Sequence, residues 1–332
     1  MSSEIENIGF EPNDFSSKEE ISSQCDVIIN YSRNNYPRYD LSYFSDVHSL
    51  ETINSDTETI QQIKGNFTKK NSKLDPKSLE KLTHSKKRSE ALEIIIADQI
   101  ESSDWFGSDS LFFRTTEYDD LVNGVDAVVE FNIGDYNNPE RLALSIDSTS
   151  RTDSHTIEQK IDRNISKLFS NKLEVKYFES PNIDTDQIYK GVLKDVVPVV
   201  IGLEASNTNN LISLFSRLIK LDKSANDTSL SNNQRTSFKK ELIQTRRKIE
   251  KDPTQLIFLR EIELQLEMYT LTLTKENNPN INIKVSNIQK LSEIIRNVID
   301  EKDSLDDKPE MKLLEKDTVY NLVGYHCQKR AI

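Results

Sequence analysis

A chain of 332 residues, 35% hydrophobic and 30% charged, has material for one large domain or two smaller ones with a substantial core. Its net charge of −12 excludes a surface that is basic throughout, so any nucleic-acid contact has to be local. Two cysteines near opposite ends, Cys25 and Cys327, form no CxxC pair, and His48, His84, His155 and His326 are scattered, so neither a zinc ribbon nor a redox dithiol is indicated.

Residues 1–60 are rich in Ser, Asn, Asp and Glu and carry only Lys18, Arg33 and Arg38 as cations. Their short apolar groups, such as DVIINY and LSYF, follow no sustained period, so composition predicts a mostly disordered acidic arm. The opening MSSEIENIGF has neither a basic nor an apolar signal region, and the longest apolar run, VVPVVIGL (196–203), is too short to cross a bilayer. The expected location is the cytosol, with no membrane partner. From residue 64 the charge reverses. KGNFTKKNSKLDPKSLEKLTHSKKR is basic, with Pro76 as a helix start. It reads as a solvated linker and helix entry, or as a phosphate-contacting arm. Residues 1–84 are thus expected to be an arm and linker.

From Ser85 the pattern becomes globular. SEALEIIIADQI places Leu92, Ile95, Ile96 and Ile100 at helical spacing, with Glu90 and Glu93 on one face and Gly107 as a stop. Three short strands follow in SLFFRTT, GVDAVVEFNI and RLALSIDST, the last two joined through GDYNNPE as a hairpin. SHTIEQKIDRNISKLF (154–169) predicts an amphipathic helix on Ile157, Ile161, Ile165 and Leu168. LEVKYF (173–178) and VVPVVIGL read as two more strands, the second apolar enough to be covered on both faces. This order predicts an α/β core over 85–204 with a mixed central sheet flanked by helices. After residue 204 the chain reads as helices packing on that core, a helical extension over 205–332.

Asp126 and Asp147 each border an apolar strand, and the two strands read as partners. Two bare carboxylates at close range repel and raise each other's pKa, a conflict that a hard divalent cation such as Mg²⁺ or Mn²⁺ removes. Asp at a strand end is also a common turn-former. Asp119 and Asp120 precede Asn123-Gly124, a tight-turn signal, and read first as turn residues, second as outer contacts to a metal.

The succession of a helix with Glu93, then NGVDAVVEF, then LALSIDSTS, then a Lys-bearing helix resembles the PD-(D/E)xK nuclease-like superfamily. More narrowly it resembles uncharacterised bacterial proteins with a DD…NGVD…E turn, an LA…ID.T strand and a VKYF strand before P.VVIG. The resemblance covers about residues 85–204, with a weaker echo in FLREIELQLEMY. It implies a restriction-endonuclease-like core and Mg²⁺- or Mn²⁺-dependent hydrolysis of phosphodiester bonds in DNA or RNA. By the same resemblance Asp126 matches the metal-binding aspartate that begins the second strand. Asp147 matches the acid of the (D/E)xK element, and Glu93, less closely Glu90, the glutamate of the first core helix. Thr149 stands where the pattern has lysine, a departure that puts catalysis in question more than fold. Lys160 on the next helix is the candidate replacement, set against a plain solvated lysine beside Glu158. Arg163 and Lys176 read as phosphate contacts or surface charges. The alternative is a catalytically degenerate nuclease-fold module that binds nucleic acid or protein.

Overall fold

The computed structural model describes residues 18–132, 141–170, 173–181, 188–275, 279–305, 308–309 and 311–331. Three helices come first, α1 (Lys18–Asn35), α2 (Leu50–Asn71) and α3 (Pro76–Ser103). β1 (Ser110–Arg114), β2 (Ala127–Asn132) and β3 (Arg141–Thr149) then form an antiparallel meander. After α4 (Ser154–Ser170) come β4 (Glu174–Pro181), β5 (Ile188–Lys194) and β6 (Val197–Gly202). The main sheet has the order β1-β2-β3-β6, with β6 parallel to β3, so it is mixed; β4 and β5 pair with each other as a separate ribbon. The fold is α/β, as expected. Strand β5 is an element the sequence reading lacks, and β4 belongs to the second ribbon.

The expectation of a mostly disordered arm fails for the described part of residues 1–60. On α1, Ile21, Cys25, Ile28 and Ser32 form a buried helical stripe, and the first three belong to the main core. Phe44 of the turn Leu41–Phe44 packs with Ile53 and Ile60 of α2 against Tyr177. Pro76 starts α3 as read, behind the N-cap Asp75, whose carboxylate accepts the Ser78 N–H at 3.0 Å. The helix is longer than its apolar stripe implies. The link GDYNNPE, read as the β2–β3 connection, lies outside the described residues.

One sheet face carries Ala127, Val129, Phe131, Leu142, Leu144 and Ile146 into the main core. The other carries Val128 and Ala143 against Val175 and Phe178 of the β4–β5 ribbon. The C-terminal helices α5 (Ala205–Asn226), α6 (Asn232–Glu250), α7 (Thr254–Leu273), α8 (Pro279–Glu301), the short α9 (Met311–Leu314) and α10 (Thr318–Ala331) all add residues to the main core except the outward-facing bulk of α6. Helix α7 also seals the outer edge of β6. Gln265 exchanges hydrogen bonds with the Val200 N–H (2.8 Å) and C=O (2.7 Å), Glu261 accepts the Gly202 N–H (2.8 Å), and Tyr269 donates to the Pro198 C=O (2.9 Å). These three side chains recur every fourth residue, so one helix face meets every second residue of the strand. Pro198, which has no N–H, is tolerated because this strand ends the sheet. At the opposite edge, Glu101 of α3 accepts the Phe112 N–H at 2.7 Å.

Candidate functional site

Strand register builds the site. Ala127 pairs with Ile146, and the Asp126 N–H donates to the Ile146 C=O at 2.8 Å. One step further, Asp126 therefore stands opposite Asp147 at the same end and on the same face of the sheet. The Asp126 carboxylate is fixed through Oδ2, which accepts from the Ser148 N–H (2.7 Å) and hydroxyl (3.1 Å). Burial, then the charges of Asp147 and Asp120, push Asp126 up to about 7, against the opposing pull of Lys160 and the Ser148 N–H.

Asp147 is held from α4. Lys160 Nζ donates to Oδ1 at 2.5 Å and to the Ser148 C=O at 3.0 Å, and Arg163 pairs with Oδ2. The amphipathic pattern of α4 causes this: Ile157, Ile161 and Leu168 anchor the buried stripe, which leaves Lys160, Arg163 and Lys167 on a neighbouring face. Lys167 donates to the Asn123 C=O, and burial, reinforced by Arg163, draws its ammonium down to about 8. Gly124, at φ +60, ends the single-turn π-helix Asp119–Asn123. A Cβ there would fall 2.7 Å from an Arg163 guanidinium nitrogen, so glycine serves both the turn and the approach of Arg163. Thr149 is buried and paired with Gly202, where a Cβ would lie 2.0 Å from the Thr149 carbonyl oxygen. The position two residues past Asp147 is thus enclosed, and the cation reaches Asp147 from α4 instead.

Glu93 arrives from α3. It is held well above the usual carboxylate range, first by burial and then by Asp126 and Asp120, with Arg38 and Arg114 opposing. Arg38, in the connection after α1, bridges Asp120 (2.5 Å) and Glu93 (3.6 Å). Glu90 pairs with Arg114 at 3.5 Å.

Asp126, Asp147, Glu93 and Lys160 therefore meet in one site. Among the described residues, however, no three His, Cys, Asp or Glu side chains gather closely enough to form a ready metal cage. The reason is visible in the partners: Lys160 and Arg163 hold Asp147, Ser148 holds Asp126, and Arg38 draws Glu93 and Asp120 toward itself.

The aspartates of the turn divide. Asp119 is fully buried and accepts from the N–H groups of Lys176 (2.8 Å) and Tyr177 (3.0 Å), from Asn123 Nδ2 (2.7 Å) and from the Thr116 hydroxyl (3.1 Å). It ties the turn to β4. Asp120 joins the site through Arg38. Lys176 is not a free phosphate contact: its ammonium is paired with Asp56 at 2.5 Å, beside the Tyr177 hydroxyl, which donates to the same oxygen at 2.6 Å. Arg38 and Lys167 are the site residues that sequence reasoning missed, and Asp120 was read as a turn residue first and as an outer contact second. The one signal for Arg38 was its rarity, as one of three cations in the first 60 residues.

Two groups, Asp126 and Lys167, are thus drawn toward neutral pH, and Lys160, Arg163, Lys167 and Arg38 stand around the carboxylates, where they can meet an anionic group. Comparison of the chain with protein-family models, with curated proteins and with solved structures finds no match.

Proposed function

We propose that the chain is a metal-dependent, nuclease-like hydrolase of phosphodiester bonds in DNA or RNA, with Asp126, Asp147 and Glu93 as the ligands of Mg²⁺ or Mn²⁺. The observation that carries this reading is the pairing of β2 with β3, which sets Asp126 opposite Asp147, while α3 and α4 bring Glu93 and Lys160 to the same end. The order α3-β1-β2-β3-α4-β6, with β6 parallel to β3, supports a restriction-endonuclease-like identity for this core.

The donor set suits the ion. Its oxygens are carboxylate oxygens, the ligands hard divalent cations prefer. Burial first, and then the neighbouring carboxylates, push Asp126 and Glu93 up, a conflict that a bound divalent ion would relieve. Bound there, the ion would lower the pKa of a coordinated water and offset charge on phosphoryl oxygens. The chain's own residues do the rest. Lys160 exchanges its Asp147 contact for the attacking oxygen, Arg163 and Arg38 offer guanidinium groups to a phosphate, and Ser148 keeps Asp126 in place.

Cleavage assays on single- and double-stranded DNA and RNA test the reading. Mg²⁺ or Mn²⁺ should support turnover and Ca²⁺ should not. Asp147→Asn should abolish it, since an amide is a poor ligand for a hard cation. Lys160→Ala should slow it about ten- to a thousandfold with metal affinity nearly unchanged. Cleavage that survives Asp147→Asn would refute the assignment. One observation favours a second reading: Asp147 is already paired with two cations and Glu93 with Arg38, as in a module that binds without chemistry. Nucleic-acid binding with no cleavage under any metal would select it.

A further inference from the structure

The basic segment that the sequence set apart folds into a projecting helical arm. Residues 64–88 carry nine Lys or Arg against two Asp or Glu, a net +7, so the remainder of the chain carries −19. They form the end of α2, the turn at Ser72–Asp75 and the start of α3. From Gln61 to Glu90 no residue is buried, and α2 and α3 make little contact with each other. A helix arm with no core of its own is held by local terms: the Asp75 cap, Pro76 in the first turn and the helix-forming lysines themselves. Lys64 and Lys87, nearest the body, are paired with Glu117 and Asp26. Lys69, Lys70, Lys73, Lys77, Lys81 and Lys86 are exposed, and none has an ion-pair partner among the described residues.

The arm leads to the site. Lys81 and Glu93 lie on the same helix, twelve residues or about 18 Å apart. A polyanion laid along the arm therefore runs toward the carboxylate cluster and the cations around it. We propose that the α2–α3 arm is the surface that grips the phosphodiester backbone of a nucleic acid and feeds it to the carboxylate site. This rests on the phosphodiesterase reading for its purpose, while the grip itself is independent of cleavage. Charge complementarity favours this occupant, since a chain of −12 can hold a polyanion only where its cations are concentrated. An anionic membrane fits less well. The exposed apolar residues Phe67, Leu74 and Leu79 are set among lysines and divided between two helices and a turn, without the apolar face of an interfacial helix.

The full chain should be titrated into fluorescent single- and double-stranded DNA and RNA, in EDTA, across a range of salt. An arm variant carries Lys69→Gln, Lys70→Gln, Lys73→Gln and Lys77→Gln, which keeps helix propensity. A control of equal charge change carries Lys239→Gln, Lys240→Gln, Arg247→Gln and Lys248→Gln on the exposed face of α6. The arm variant should bind at least about tenfold more weakly at moderate salt. The slope of log affinity against log salt should fall by about 3 to 4, the loss of four phosphate contacts, and the control should stay within about twofold of wild type. The comparison of DNA with RNA identifies the polymer gripped. No binding by wild type, an unchanged slope, or equal losses in both variants would overturn the proposal, as would arm-dependent binding to phosphatidylserine vesicles without nucleic-acid binding. Binding that depends on the arm with no cleavage in Mg²⁺ would sink the hydrolase reading and leave the grip standing. Cleavage equally fast in the arm variant would sink the grip and leave the hydrolase reading standing.

Discussion

Asp126 shows how one residue's surroundings set a measurable property. Its carboxyl is raised from an ordinary 3.8 to about 7 in the fold. A group raised in this way favours the folded state at low pH, and that contribution is lost as pH climbs through the folded value. Asp126→Asn keeps an oxygen for the Ser148 N–H and removes the charge. The variant should therefore melt higher than wild type at pH 8, and the gap should close toward pH 4. At one pKa unit per 1.36 kcal/mol the ceiling is about 4 kcal/mol; a wild-type advantage at pH 8 would contradict the cause assigned here. Divalent metal should erase the difference by stabilising wild type alone. Arg38→Gln tests the opposite charge. It should tighten Mn²⁺ binding by about two- to fivefold, the range a partly exposed ion pair is worth, and calorimetry reads it directly. At this scale Asp126 and Asp147 were legible because each adjoins an apolar strand. Arg38 was not, because it comes to the site from 55 residues before Glu93 by a packing that no local pattern encodes.

Elements with a clear period were readable, and elements with a mixed one were not. The stripe of α4 on Ile157, Ile161 and Leu168 stands out in the sequence, whereas the stripe of α1 runs through Ile21, Cys25, Ile28 and Ser32 amid polar neighbours. Composition outweighed period there, and tertiary packing decided the outcome. Strand β5 was hidden for a related reason: it is half-exposed, with Ile188 and Tyr189 facing outward and Gly191 in its middle. Hydrogen exchange should separate the two early segments. Amides of α1 should exchange slowly, and those of 64–84 fast, since the first packs on the core and the second buries no residue. Fast exchange throughout α1 would restore the disordered-arm expectation. The seal on β6 is testable in the same spirit. Gln265→Leu leaves the Val200 N–H and C=O buried without partners, which should cost about 1–3 kcal/mol for each group and lower the melting temperature clearly. An unchanged melting temperature would mean that the edge finds other partners.

Over the whole molecule, charge is sorted rather than spread. The arm sums to +7 in a chain whose other residues sum to −19, and α3 runs from the arm to Glu93. The sequence displayed the two blocks but not their juxtaposition, because a linker and a helical arm have the same composition. The fold class was legible for the opposite reason, since alternating helix and strand patterns constrain how layers stack. The helices that cover the ends of the sheet have a further effect on the company it keeps. An open strand is an invitation to any extended peptide, including the unfolded copy of the same chain. Here Glu101 answers β1, and Glu261 and Gln265 answer β6, with the hydrogen bonds a visiting strand would otherwise supply. The main sheet is, in that sense, already spoken for at Phe112 and along β6, and the edge a visiting strand could still address belongs to the half-exposed β4–β5 ribbon.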